Sequence, residues 1–265
     1  MRKRRIFPFY IVIILFFIYV PIFLVIIYSF NTSRITSVWS GISLYWYREL
    51  FRDISMFEAL RNSLVLAFLA SLNSAVLGTL GAAGMTRMKM NSEGKTIEYI
   101  SILPIMTPEI ILGIAFLSFF TFLSIPTGMI TLVIAHTAFC VPYVYLLVKA
   151  RLSGLDKSYI EAAKVMGASD IRAFYDITLP LVLPAVVSGM LICFAMSFDD
   201  VIISVFVSGV HTNTLPMKIY SQIKTGVTPK TNAMCTLIFV LTVLLCLASA
   251  IVAGKGKSGY SQKAN

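Results

Sequence analysis

Long apolar runs dominate the chain, and each predicts a helix. They cover residues 6–30, 63–85, 99–123, 129–148, 181–207 and 233–253. A run of about twenty apolar residues crosses ~30 Å of hydrocarbon as an α-helix. Polar stretches separate the runs, the longest being 31–62 and 150–180. The pattern predicts an all-α, polytopic membrane protein with six transmembrane helices in a single domain, residues 1–265.

Arg2-Lys3-Arg4-Arg5 precedes the first run. A secretory signal also opens with basic residues, but its apolar core is only ~7–15 residues and ends at a small-residue cleavage site. The run here is longer and has no such site, so it reads as a retained span with a cytoplasmic N-terminus. Six crossings then return the C-terminus to the cytoplasm. Basic residues test this orientation. Fifteen of the 22 Lys and Arg fall on segments placed inside, and seven on those placed outside.

Composition narrows the class further. Hydrophobic residues make up 58% of the 265, charged residues only 13%, and mean hydropathy is +0.86. Soluble domains carry about 25% charge, and a globule of this size could not hide so much apolar surface. A soluble enzyme, a secreted disulfide scaffold and a disordered chain are therefore excluded. The net charge of +10 is read against the membrane, not as a nucleic-acid footprint. Cys140, Cys193, Cys235 and Cys246 all lie in apolar stretches without a C-x-x-C pair, so they read as small buried hydrophobes.

The 150–180 loop has local structure of its own. Ser158 with Glu161 three residues on forms a capping box that predicts a helix start. Ala162 and Ala163 favour helix and allow close approach by another surface. Gly167 stops the helix in the left-handed region that glycine enters without steric penalty. Ser169 is then placed to cap a second short helix, with Asp170 in its first turn. That helix would present Ile171, Phe174 and Tyr175 as apolar knobs. Such a loop is either a hairpin lying on the membrane surface or a dock for a cytoplasmic partner.

Glu161-Ala162-Ala163, three residues, Gly167, nine residues, Ile177-Thr178-Leu179-Pro180 resembles the signature of bacterial importer permeases of the ATP-binding-cassette (ABC) superfamily, at every fixed position. Asn31-Thr32-Ser33, Tyr45-Trp46-Tyr47-Arg48, Pro108-Glu109, Met196-Ser197-Phe198-Asp199-Asp200 and Leu215-Pro216-Met217-Lys218-Ile219-Tyr220-Ser221 extend the resemblance over nearly the whole chain. They make it most similar to the smaller permeases of spermidine/putrescine importers. Permeases for sulfate, molybdate or iron share the architecture. The resemblance implies a type I importer permease fold in the cell inner membrane, surrounded by lipid. It implies that the loop is a coupling helix seated on the ATPase, with Glu161, Ala162, Ala163, Gly167, Ile171, Phe174, Tyr175, Leu179 and Pro180 at the contact. The implied partners are a second homologous permease, a dimer of ATP-binding subunits and an external polyamine-binding protein. No nucleic acid is expected.

Ionisable groups within spans are expensive and point to a partner, cavity or pore. Glu109 falls in the third run, and Asp199 with Asp200 in the fifth. Three carboxylates with no obvious intramembrane Lys or Arg suit a cation. Aromatic faces such as Trp46 suit the ammonium groups of a polyamine. Trp46, Glu109, Ser197, Asp199 and Asp200 are therefore the expected substrate path. Trp39, Tyr45, Trp46 and Tyr47 also fit an interfacial belt. Asp199 and Asp200 point about 100° apart on a helix, so one of them could serve a neighbouring helix instead. Pro104 and Pro108 either break the third span at a cavity or only kink it. Leu103-Pro104-x-x-x-Pro108 and Leu179-Pro180-x-x-x-Pro184 share a spacing that chance alone could produce.

Gly94-Lys95-Thr96 and Gly256-Lys257-Ser258 resemble the end of a phosphate loop. The glycine required five positions earlier is replaced by Lys89 and Ile251, so ATP and Mg would be bound by the partner ATPase, with no cofactor in this chain. His136 and His211 stand alone and read as structural. No enzymatic activity is expected of the chain itself. Two other classes remain open: a stand-alone carrier driven by ion gradients, which would have no use for an ATPase dock, and an intramembrane aspartyl protease, which needs two acids converging from separate helices.

Overall fold

The computed structural model describes residues 3–34, 38–87, 92–156 and 158–261. Arg2, Lys89, Lys157 and Lys263, four of the basic residues counted for orientation, lie outside them. The described residues are almost wholly helical, and the only strand-like pairing among them is an isolated bridge between Asn31 and Ile42.

Two compact units are present, Met1–Met56 with Ser221–Asn265 and Phe57–Tyr220. In the first unit, α1 (Lys3–Ser29) and α2 (Tyr45–Arg52) both pack on α12 (Pro229–Ser261). Asn31, which is fully buried, organises the turn between α1 and α2. Its amide donates to the Val38 carbonyl at 2.7 Å, its Oδ1 accepts the Ser40 N–H at 3.0 Å, and its own carbonyl accepts the Trp46 indole N–H at 2.8 Å. The side chain at this Asn-x-Ser sequence is therefore an internal hub. Lys230 closes the unit with a 2.6 Å ion pair to Asp53.

The second unit contains α3 (Ile54–Arg87, apart from its first residues), α4 (Ser92–Met106), α5 (Glu109–Phe122), α6 (Met129–Ser153), α7 (Ser158–Val165), α8 (Asp170–Ala173), a π-turn (Phe174–Thr178), α9 (Leu179–Asp199) and α10 (Ile202–Val207). The helix α11 (Leu215–Thr225) lies where the division between units falls. The centre of the second unit is α6, whose Leu132, Ala135, Phe139, Cys140, Val144 and Val148 are buried at helical spacing. Two glycines let its neighbours close on Val144. A Cβ on Gly78 of α3 would fall 2.7 Å from Val144 Cβ, and one on Gly189 of α9 would fall 3.2 Å from Val144 Cα. Without a hydrophobic drive between helices in lipid, such small-residue contacts carry much of the packing.

Among the described residues, four helices are long and apolar enough to cross a membrane: Tyr10–Ser29, Ile54–Thr86, Met129–Ser153 and Asp170–Asp199. Three expected spans differ in form. The third is a pair of helices, α4 and α5, bent by 110° at Thr107-Pro108. The fifth begins earlier, because the π-turn joins α8 to α9, and is interrupted at Asp200-Val201 before α10. The second begins at Ile54, nine residues before the expected start. In the sixth, the apolar stretch Pro229–Leu244 has described side chains, and Cys246 lies outside them. Cys140 and Cys193 are buried and Cys235 half-buried, all as free thiols.

Candidate functional site

The break between α4 and α5 follows from local chemistry. Pro108 has no N–H to continue the helix, and its ring biases Thr107 out of the α-region. Thr107 Oγ donates to the Leu103 carbonyl at 2.9 Å, satisfying an acceptor that the broken helix leaves open. Pro108, at φ −56° and ψ 134°, starts α5, and its carbonyl accepts the N–H groups of Ile111 and Leu112. Glu109 thereby stands in the first turn of α5, where the helix dipole favours a carboxylate.

A second break faces it. Helix α9 ends at Asp199, and Asp200 turns extended, with ψ 131°. The Asp200 carboxylate then caps α10: Oδ1 accepts the Ile203 N–H at 3.2 Å, and Oδ2 accepts the Ser204 N–H and hydroxyl, each at 2.8 Å. Between the two breaks lies a cavity of about 600 Å³, lined by Glu109, Phe139, Ala195, Met196, Asp199, Asp200, Val201 and Ile202. Its ionisable lining is three carboxylates and no Lys or Arg. Glu109 and Asp199 are exposed and have no hydrogen-bond partner among the described residues, while the Asp200 side chain is only 4% exposed. Non-helical backbone at membrane depth is tolerated where it lines such a cavity.

The other two expected path residues are buried. Ser197 is 2% exposed, and its hydroxyl meets His136 Nδ1 at 2.8 Å instead of lining the cavity. Trp46 is buried in the first unit with its indole N–H on the Asn31 carbonyl. Phe139, Val201 and Ile202 were not anticipated, because nothing in their local sequence separates them from ordinary apolar span residues. His136 was read as isolated. It is fully buried, with Nε2 at 3.1 Å from Ser204 Oγ and 3.4 Å from Asp200 Oδ2.

The loop after α6 forms the second candidate site. Helix α7 ends in a Schellman motif: Gly167 at φ +88° donates to the Lys164 carbonyl at 2.9 Å, and Ala168 donates to the Ala163 carbonyl at 3.0 Å. Ser169 Oγ accepts the Arg172 N–H at 3.3 Å and caps α8, which has Asp170 in its first turn. Two expectations change. Ser158 lies inside α7 and donates its N–H to Asp156 Oδ1 at 2.9 Å, so the start rests on Asp156, not on a Ser158–Glu161 box. That N–H holds the Asp156 carboxyl below its usual range. Phe174 is the other: at the first position of the π-turn it is buried, while Tyr175 beside it is exposed. Ile171 and Tyr175 remain exposed, together with Val165 and Met166 on the turn. Glu161 and Ala162 are exposed, Ala163 and Leu179 half-buried, and Pro180 exposed.

The second unit thus carries an acid-lined cavity between broken helices and an apolar-tipped helical turn on a polar connection. The family model described as "Binding-protein-dependent transport system inner membrane component" matches residues 74–254, and the chain belongs to that family. Among similar proteins, the spermidine/putrescine transport system permease protein PotC of Haemophilus influenzae is 38% identical over 239 residues, covering 90% of this chain and 93% of the relative. The putrescine transport system permease protein PotI of Escherichia coli is 39% identical over 240 residues, covering 87% and 85%. The fold is that of type I ABC-importer permeases. It is similar to a bacterial ABC transporter involved in alginate import, with TM-score 0.74 at 14% identity, covering 94% of this chain and 97% of that one. It is also similar to the MetNI methionine ABC transporter, with TM-score 0.62 at 20% identity, covering 80% and 97%.

Proposed function

We propose that this chain is a transmembrane permease subunit of an ATP-driven, binding-protein-dependent importer that moves polyamines, spermidine or putrescine, across the cytoplasmic membrane. The observation that carries this reading is the cavity whose charged groups are Glu109, Asp199 and Asp200. A polyamine is a flexible apolar chain bearing ammonium groups. Carboxylates attract the ammonium groups, while Phe139, Met196 and Ile202 accept the methylenes between them. The names of the relatives support the same substrate class. An acidic lining disfavours sulfate and molybdate, since like charges in a low-dielectric cavity repel.

ATP binding and hydrolysis belong to a separate subunit pair, so no cofactor is assigned to this chain. The turn at Gly167, with Val165, Met166, Ile171 and Tyr175 outward, is the handle for that pair. Closure of the ATPase would shift α7 and α8, and the π-turn continues the backbone into α9, which ends at Asp199 beside the cavity. A second homologous permease and an external binding protein complete the assembly, with both termini of this chain in the cytoplasm.

Reconstitution with the candidate ATPase, second permease and binding protein tests the reading through ATP-dependent uptake of labelled spermidine, putrescine and sulfate. Polyamine uptake without sulfate uptake is expected. Sulfate uptake without polyamine uptake would overturn the substrate and leave the family intact.

A further inference from the structure

Asp200 differs from its two neighbours in the cavity. Its Oδ1 is held by Ile203 N–H, and its Oδ2 by Ser204 N–H and hydroxyl. The hydroxyl proton of Ser204 is thus directed to the carboxylate, and a serine has one such proton. The 3.1 Å contact between Ser204 Oγ and His136 Nε2 therefore requires Nε2–H as the donor. The other ring nitrogen is fixed by Ser197 Oγ at 2.8 Å. His136 and Ser204 are fully buried and Ser197 nearly so. The result is a directed chain linking α6 to both sides of the α9–α10 break: Ser197 at Nδ1, then Nε2–H to Ser204, then Ser204 O–H to Asp200.

We propose that His136 is the positioning residue of the cavity: through Ser204 it holds Asp200 as a fixed cap on α10, and Glu109 and Asp199 are the two carboxylates that engage the ammonium groups. This rests on the polyamine reading above. It assigns the three acids different work: two take the ligand, and one holds the wall that aims them. A buried polar network that is fully satisfied rigidifies its surroundings, and a carboxylate that contacts the ligand needs that kind of support to stay in a productive geometry.

Two measurements test it on the full chain. The sequence has only two histidines, so ¹⁵N-histidine NMR of the detergent-solubilised protein, assigned with a His211→Asn variant, reads His136 directly. A protonated Nε2 whose signal moves in Asp200→Asn but not in Asp199→Asn is expected. An unprotonated Nε2, or a signal indifferent to Asp200→Asn, overturns the linkage whether or not transport is seen.

The second measurement is uptake kinetics in the reconstituted complex. Glu109→Gln and Asp199→Asn should each raise the polyamine KM about tenfold, the loss of one charge contact. Asp200→Asn keeps one capping acceptor and loses the second, and should raise KM about threefold, less than either ligand-binding acid. His136→Ala should raise KM, His136→Gln should recover much of it through its amide N–H, and the His136→Ala effect should vanish in the Asp200→Asn background. An unchanged KM in a well-folded His136→Ala, or full additivity with Asp200→Asn, overturns the positioning role. Should the wild-type complex import no polyamine, the functional reading fails, and the NMR result alone decides the His136–Asp200 linkage.

Discussion

Leu103–Pro108 and Leu179–Pro184 share one spelling, Leu-Pro-x-x-x-Pro, and adopt two backbones. The first stops at Met106, turns through 110° and restarts at Glu109. The second runs on as a helix with Pro184 inside it. Upstream of the second, the π-turn sends the Leu179 N–H back to the Phe174 carbonyl, five residues away. Pro180 then falls in the first turn of a new α segment, where a missing N–H leaves little unpaired. Upstream of the first there is no such adjustment. Thr107 instead offers its hydroxyl to the Leu103 carbonyl, and α5 is held in its new direction by α10. Proline spacing alone therefore does not decide whether a span breaks. What decides is which group takes the orphaned carbonyls and what the departing helix packs against.

The packing half of that account gives the largest expected effect. A Cβ on Gly113 would sit 2.5 Å from Phe206 Cδ2, at the contact that joins α5 to α10. Gly113→Val should destabilise the solubilised protein by about 3 kcal/mol, the upper part of the range for overpacking, and abolish transport. Thermal unfolding checks it. An unshifted midpoint would mean that α5 holds its direction without α10.

The prolines themselves should respond with opposite signs. Pro184→Ala supplies an N–H to the Pro180 carbonyl and should stabilise by about 1 kcal/mol. Pro108→Ala frees a residue whose φ of −56° already suits proline, so it should destabilise by about 0.4–1 kcal/mol, through the unfolded chain. Measured by thermal unfolding side by side, shifts of the same sign would remove the distinction drawn between the segments.

Much of this architecture is legible in the sequence. The apolar runs mark where the long helices lie but not the bend at Thr107-Pro108 or the break at Asp200, and Gly167 marks the end of α7 because its left-handed turn has few other occupants. Glu109, Asp199 and Asp200 were legible as cavity residues because charge inside a span needs a reason. The interruption at Asp200 was not, since an Asp with a Ser four residues on is common in helices and caps alike. His136 was missed for a different reason. Its partners Ser197 and Ser204 are 61 and 68 residues away in sequence and meet it only once α6 packs on α9 and α10. The burial of Phe174 is not legible, because which side of so short a helix packs inward is set by the helices around it and not by its own sequence.

The capping half of the account predicts a smaller effect. Thr107→Val keeps shape and β-branching but removes the hydroxyl from the Leu103 carbonyl. A loss of about 0.5–1 kcal/mol is expected, with the bend itself retained because Pro108 and the α5–α10 contact remain. Distances between spin labels placed on α4 and α5 report the bend, and straightening would show that the hydroxyl, not the proline, holds it.

The smallest effect belongs to the π-turn. Arg172 Nε reaches Asp176 Oδ2 at 3.2 Å across the widened segment, with the two side chains 76% and 62% exposed. It looks like a strap over the turn that lets α9 continue, but exposed i,i+4 pairs contribute only about 0.3–0.5 kcal/mol and are screened by salt. If the widened turn exists because Pro180 must be accommodated, Arg172→Ala should shift the thermal midpoint barely at all, and less still at high salt. Pro180→Ala, in contrast, should let Phe174–Thr178 relax towards ordinary α-geometry, turning Phe174 outward from its buried site. Solvent accessibility of a cysteine placed at position 174 in each background separates the two causes. Exposure in the Arg172→Ala background, and none in Pro180→Ala, would assign the turn to the ion pair and leave the difference between the two proline segments without its cause.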